Sequence, residues 1–388
     1  MEDLGSRFPS ISQIILNNVD DNSLANFRKA SRENSIFLDS ERFYWIRNIK
    51  KYSANFEEFQ DSWKKVVCKT PVKFLKNLAF DLHSFFKCVS TRYETQWHPL
   101  LIGARQGLLS LCEHVVERTG DVNPKSIGGG FTPLDFAAQK GHLEICVFLI
   151  KYLDDKNPAN ADRGTTPLHR AAYFGHVEIC KLLFDHIGDE ISLDKDGMTP
   201  IHMAAQEGHL EVCNFMLNHL YHKNPRGNNG WTPLHLACSK GHLQICVAIV
   251  KHLENKNPAL DDGRTPLHIA ARMGHLKICT LLMENLDTKN PGDNNGITPL
   301  HHAAQKGYLD VCKLLVQHLA IVNPSDNHGM TPLHCASYYG NLEVCEFISK
   351  NTEDLNPLTN CGKTPIYFAN ERNHRAIVTL LRLAQINN

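Results

Sequence analysis

Thr232 to Asn257 reads TPLHLACSKGHLQICVAIVKHLENKN, and this stretch carries the plan of most of the chain. Thr232 suits a helix N-cap and Pro233 the first helical position, where a missing N–H is no loss. Ala237 is small enough to let another helix approach closely. Gly241 tolerates the left-handed cap conformation that ends a helix. Leu243, Ile245, Cys246, Ile249 and Val250 then fall on one apolar face of a second helix. Asn257-Pro258 is expected to stop that helix, because proline disfavours helical backbone in the residue before it.

The same phrase recurs with Thr-Pro at Thr132, Thr166, Thr199, Thr232, Thr265, Thr298, Thr331 and Thr364, in one step of 34 and then six of 33. A strict period of this length means a stacked array, in which each repeat completes its neighbour's core. An eroded ninth copy precedes them, with His98-Pro99-Leu100, Gly107, Cys112 and Asn123-Pro124 at the matching offsets. The array therefore runs over 97–388. Between repeats stand Asn228-Asn229-Gly230, Asp261-Asp262-Gly263, Asn294-Asn295-Gly296 and Asn327-His328-Gly329, read as tight hairpin turns with positive φ. The two 34-residue steps, Pro99 to Pro133 and Pro133 to Pro167, place their extra residue in these fingers. The repeat from Pro167 has Ile191-Ser192-Leu193 where others have Asn-Pro, so its second helix is expected to end less sharply.

TPLHxAA, GHLE and the Asp/Asn-Gly turn resemble the ankyrin repeat. That resemblance implies an all-α solenoid of helix-turn-helix repeats with hairpin fingers, whose inner-helix histidines hydrogen-bond backbone between repeats. Two copies depart from it: Asp135 and Tyr367 take the histidine position. Asn370 and Val378 replace alanine and cysteine in the last copy, as befits a cap with one solvated face.

Thirteen cysteines and twenty-two histidines invite disulfide and metal readings. Eight cysteines (112, 146, 180, 213, 246, 279, 312, 345) are one position copied, spaced by about 8–10 Å of helix packing, which is too far for disulfides. They read as buried thiols in a reducing compartment. Histidines at 169, 202, 235, 268, 301 and 334, and at 142, 176, 209, 242, 275 and 374, form ladders of the same spacing. Zinc needs its ligands within about 2.3 Å of one point, so no metal and no cofactor are expected. Lys156, Lys223, Lys256 and Lys289 repeat before Asn-Pro, as a solvated row or as a basic stripe for an acidic partner. Lys plus Arg equals Asp plus Glu at 41 each, so no global field gathers nucleic acid or membrane. No local nucleophile-base motif and no phosphate loop occur, and no catalysis is expected. Met1 to Ser10 lacks an apolar signal core, and no run of about 18 apolar residues appears. The reading is a cytoplasmic or nuclear protein that is not secreted.

Specificity should sit at the variable positions of the finger tips and the exposed face of the first helix, which the ankyrin resemblance places on the concave side. These carry Phe131, Tyr173, Phe174, Met203, Trp231, Arg272, Met273, Tyr338 and Tyr339. Aromatics and arginine dominate binding hot spots.

The first hundred residues have no Thr-Pro period and are dense in aromatics. Within 1–50, three apolar groups separated by turn residues read as a three-helix domain. Phe8-Pro9, Ile15-Leu16, Val19-Asp20, Ser23-Leu24 and Trp45 resemble an F-box in order and spacing, with Asn34 and Phe8 as departures. The resemblance implies that Phe8, Pro9, Ile15, Leu16, Val19 and Leu24 dock a Skp-type adaptor protein. Residues 51–96 read as a helical connector and cap, with Phe74, Leu75, Leu78, Leu82, Phe85 and Phe86 on one apolar face. The expected whole is a target-recognition subunit of a Skp-cullin ubiquitin ligase. The alternative is a non-catalytic scaffold or inhibitor whose N-terminus is only a cap.

Overall fold

The structure, a computed structural model, describes residues 98–126, 129–188, 192–319 and 321–387. The F-box-like segment with Phe8, Pro9, Ile15, Leu16, Val19 and Leu24, and the connector over 51–96, lie outside the described residues. The chain divides into two compact units, one ending at Asp155 and including Asn160–Asp162, the other formed by Lys156–Ala159 and Arg163–Asn388.

Among the described residues the regular structure is helical throughout. The first unit holds α1 (Pro99–Gln106), α2 (Leu109–Thr119), α3 (Pro133–Lys140) and α4 (Leu143–Ile150). The second unit begins with α5 (Pro167–Phe174), α6 (Val177–Ile187), α7 (Pro200–Glu207), α8 (Leu210–His219), α9 (Pro233–Lys240) and α10 (Leu243–His252). It continues with α11 (Pro266–Met273), α12 (Leu276–Asn285), α13 (Pro299–Lys306), α14 (Leu309–Val316), α15 (Pro332–Tyr339) and α16 (Leu342–Asn351), and ends with α17 (Pro365–Glu371) and α18 (Arg375–Asn387). Within each unit, first helices pack on first helices, second on second, and each first helix on its own partner.

The boundaries follow from local chemistry. Threonine precedes proline at the N-cap of α3, α5, α7, α9, α11, α13, α15 and α17, and His98 takes that place in α1. Gly241 closes α9 at φ 81°, and a Cβ there would stand 2.7 Å from Cε1 of His275. Glycine is thus required twice, by backbone and by the ring above it. The repeat's leucine, its alanine pair and its cysteine form the core: Leu300, Ala303, Ala304 and Cys312 are fully buried, whereas in the last repeat Ile366 is half-buried and Asn370 exposed.

One expectation needs correction. The second helix of the central repeat stops at His252, not at Asn257-Pro258, and Leu253 is already extended. The asparagine instead serves the next repeat: Oδ1 of Asn157, Asn224, Asn290 and Asn323 accepts the N–H of Leu168, Leu234, Leu300 and Leu333 at 3.0–3.2 Å. A helix has several orphan N–H groups at its start, so one threonine is not enough. In the repeat lacking Asn-Pro, α6 runs 11 residues to Ile187 and turns out at Gly188.

The fingers form the expected tight turns, with positive φ at the glycine. In Asp293–Ile297 the Gly296 N–H reaches the Asp293 carbonyl at 2.8 Å, and Asp293 N–H reaches the Ile297 carbonyl at 2.8 Å. That is a type I turn followed by one left-handed glycine, so a single residue needs positive φ. Asn229 (φ 57°) is the one finger asparagine that joins its glycine there. The longer step to Pro133 is taken up as expected, since Ser126 N–H closes on the Phe131 carbonyl, one residue further along. Successive fingers of the second unit are tied in a ladder from Lys195 N–H on the Arg163 carbonyl to Asn360 N–H on the His328 carbonyl, both 2.9 Å.

Candidate functional site

Within each unit the inner helices and fingers present a face whose chemistry depends on which groups the fold has already used. The first histidine row is used by the frame in all but one of its nitrogens. In His202, Nδ1 accepts the Thr199 N–H at 3.0 Å and faces Thr199 Oγ1 at 2.9 Å, while Nε2 donates to the Trp231 carbonyl at 3.1 Å. A backbone N–H can only donate, which fixes the proton on Nε2. His169, His268, His301 and His334 repeat this bond to the carbonyls of Met198, Ile297, Met330 and Lys363 at 2.9–3.1 Å. His235 departs: the facing Arg264 carbonyl favours its charged form, but Nε2 falls outside hydrogen-bond geometry. Asp135 reproduces the cap with a carboxylate, accepting the Thr132 N–H at 2.8 Å.

Burial pushes these imidazoles toward the neutral form, to about 4 for His202 and about 3 for His235. His169, His268, His301 and His334 move the same way for the same first cause. Protonation would also turn Nδ1 into a donor facing donors.

The second row has a role that the spacing did not disclose. Nε2 of His142, His209, His242, His275 and His374 hydrogen-bonds a carbonyl of the preceding repeat, at Arg105, Tyr173, Gln206, Ser239 and Tyr338, over 2.8–3.4 Å. Each ring sits on the glycine closing the preceding inner helix. Two of the four repeated lysines also turn inward: Lys256 Nζ reaches Asn285 Oδ1 at 3.3 Å, and Lys289 Nζ donates to the Met283 carbonyl. The repeated cysteines are fully buried free thiols, and burial pushes Cys146, Cys180, Cys213, Cys279, Cys312 and Cys345 up to about 12. A thiol held protonated is neither nucleophile nor metal ligand. No helix of the described residues is long and apolar enough to cross a membrane.

The variable side chains sort into exposed and half-buried sets. Tyr173, Phe174, Arg272, Met273 and Tyr339 are exposed at the ends of their inner helices. Tyr173 and Phe174 meet edge-on at 5.0 Å, as Tyr338 and Tyr339 do at 4.9 Å. Met203, Trp231 and Tyr338 are half-buried in the second unit, and Phe131 is half-buried in the first, against Phe136 at 5.8 Å. Trp231 packs edge-on to His235 at 5.9 Å, and its carbonyl receives His202, so it belongs partly to the frame.

The fold gathers one more group around Tyr338 and Tyr339. A cleft of about 330 Å³ opens between α13, α15 and the fingers, lined among others by His302, Gln305, Cys335, Tyr338, Tyr339 and Phe368. Phe368 lies 6.0 Å from Tyr338, and the Arg372 guanidinium covers the Tyr338 ring at 4.1 Å. Of these residues only the two tyrosines were legible as candidates. His302 carried a signal: its equivalents in the neighbouring second-unit repeats are Leu236, Ile269 and Cys335, so an imidazole stands where apolar side chains are usual.

Comparison with known families matches the same residues. Ankyrin-repeat models fit 150–226, 216–291 and 285–359, and a single-repeat model fits 129–162. No curated protein matches the chain. The matches together span 129–359, more than half of the 388 residues, on the very Thr-Pro frame and histidine bonds just described. They make this region a protein–protein interaction module, and the chain belongs to the ankyrin-repeat family.

Proposed function

We propose that this chain is a target-recognition subunit, binding a protein on its inner-helix and finger face and carrying no chemistry of its own. The observation that carries the reading is the division of labour within each repeat. Frame residues spend their polar atoms on neighbouring repeats, whereas Tyr173, Phe174, Arg272, Met273 and Tyr339 remain exposed on one helix end after another. Such side chains cost little to leave bare when a partner covers them, and aromatics and arginine give most of the energy of such contacts.

The F-box resemblance of Phe8-Pro9, Ile15-Leu16, Val19 and Leu24 extends the proposal to a Skp-cullin ubiquitin ligase. The N-terminal segment would hold the Skp-type adaptor and the repeats the target. The contribution would be proximity, raising the effective concentration of a target lysine near the ubiquitin carrier.

The full-length chain and its Ile15→Asp, Leu16→Asp variant can be compared against purified adaptor by calorimetry. Binding by the parent that the double variant loses supports the ligase role. No binding by the parent removes it and leaves a scaffold. For the target face, Tyr173→Ala with Met273→Ala is the cleaner pair, because Trp231 also serves the frame. It should weaken target capture while the circular dichroism melt stays in place. A melt that drops instead would assign these residues to the core.

A further inference from the structure

His301 and His302 are neighbours on α13 with opposite fates. His301 is saturated by Thr298 and Met330. His302 is only 9 % exposed, yet among the described residues neither of its ring nitrogens has a hydrogen-bond partner. A buried polar group without a partner is costly, so an imidazole kept in this position needs a reason. It lines the cleft between α13, α15 and the fingers, facing a mostly apolar wall that includes Ile297, Met330 and Phe368.

The occupant can be read from these walls. A neutral imidazole offers one N–H and one bare nitrogen, so it is completed by a group that both accepts and donates. A hydroxyl does both. Serine and threonine would leave the aromatic walls uncovered, and carboxamides bring no large apolar body. Tyrosine joins an apolar ring to a polar tip.

The surroundings set the charge of the flanking residues. Burial, then His268, and then Arg272, exposed at the end of α11, disfavour an imidazolium at His302. Arg372 lies over Tyr338, and Lys363 Nζ stands 4.5 Å from the Tyr367 ring and 5.8 Å from Phe368, with Glu371 as its acidic neighbour. Within the cleft, Asp326 Oδ1 is already turned to the N–H groups of His328 and Met330, each at 2.8 Å. Three cations stand against the carboxylates of Asp326 and Glu371, so the charge around the cleft is net positive.

We propose that this cleft is a socket for a tyrosine side chain of the target, inserted from an acidic segment, with the phenol completing His302 and the acidic flanks meeting Arg272, Lys363 and Arg372. The assignment rests on the inner-helix and finger face being the target surface, and it names what that face selects.

Fluorescence anisotropy of the full chain with acidic heptapeptides carrying a central tyrosine, phenylalanine, phosphotyrosine or alanine tests it. The tyrosine peptide should bind at least tenfold tighter than the phenylalanine peptide and the alanine peptide not measurably. In His302→Leu, which should melt no lower than the parent, the two aromatic peptides should bind equally. Arg272→Glu with Arg372→Glu should weaken both about tenfold at low salt and keep their ratio. Equal binding of tyrosine and phenylalanine by the parent, a preference that survives in His302→Leu, tighter binding of phosphotyrosine, or no binding of any peptide would each overturn the socket. The surface reading is separable: a target whose capture fails in Tyr173→Ala, Met273→Ala but persists in His302→Leu keeps the face and removes the socket.

Discussion

Two adjacent histidines on one short helix divide the molecule into its two kinds of surface. His301 belongs to a seam running through the second unit, where imidazoles tie a threonine cap to a carbonyl 29 residues further on. His302, one residue later, is also buried, but among the described residues its nitrogens have no hydrogen-bond partner. Residue type and burial are therefore poor guides to role. What separates frame from site is whether the fold itself satisfies the polar atoms.

The contrast breaks most severely under a matched pair of substitutions. His301→Leu strands the Thr298 N–H and the Met330 carbonyl, and is expected to cost about 3 kcal/mol or more. Gly263→Ala should cost about as much, since its φ of 86° is strained for alanine and the new Cβ would lie 2.7 Å from the Asn294 backbone nitrogen. Both are read from the midpoint of urea unfolding. If His301→Leu is silent, the seam does not hold the repeats.

Acid should dismantle the seam next. The imidazoles of His202 and His235 are pushed from 6.5 to about 4 and about 3, so folded chains stay neutral where unfolded ones bind protons. Their stabilising contribution is complete above pH 6.5 and is lost as pH falls toward 4. Each such group steepens the loss by about 1.4 kcal/mol per pH unit. Chemical melts between pH 7 and 4.5 should show a slope of several protons, and a flat profile would remove the buried neutral histidines from the stability of the array.

His302→Leu sharpens the comparison with the opposite sign. Removing an unpartnered imidazole is expected to raise stability by about 1 kcal/mol at neutral pH. A loss comparable to that in His301→Leu would show that His302 is frame after all. The smallest effect concerns thiols. Cys361 is exposed, whereas the repeated cysteines are buried, so Cys361→Ser should remove one fast-reacting thiol in native protein and leave the melt unchanged.

The helices were largely legible because their signals are local. Thr232-Pro233 and Gly241 bracket α9 where the spacing placed it, and His98-Pro99 and Gly107 do the same for the eroded copy. Legibility failed where a residue works outside its own repeat. Asn224 and Asn290 read as helix stops, but they cap the inner helix that follows. His242 and His275 read only as members of a repeating ladder, whereas they bridge to carbonyls 36 residues back. The finger turns were legible as tight turns with positive φ, but their type was not, because an Asn-Gly pair fits more than one turn until the closing hydrogen bonds are known.

The candidate surface was half legible. Exposure at Tyr173, Phe174, Met273 and Tyr339 follows from the helix period, since these residues end the inner helices opposite the buried alanines. The cleft is different in kind. It needs His302 and Gln305 from one repeat, Tyr338 and Tyr339 from the next, and Phe368 from the last. The amino-acid sequence by itself determined the period, the helix ends and the buried stripe, because these rest on side chains acting within about a turn of their own backbone. Only the stacking of repeats decided which polar atoms found partners, because each partner lies roughly thirty residues away in sequence and a hydrogen-bond length away in space.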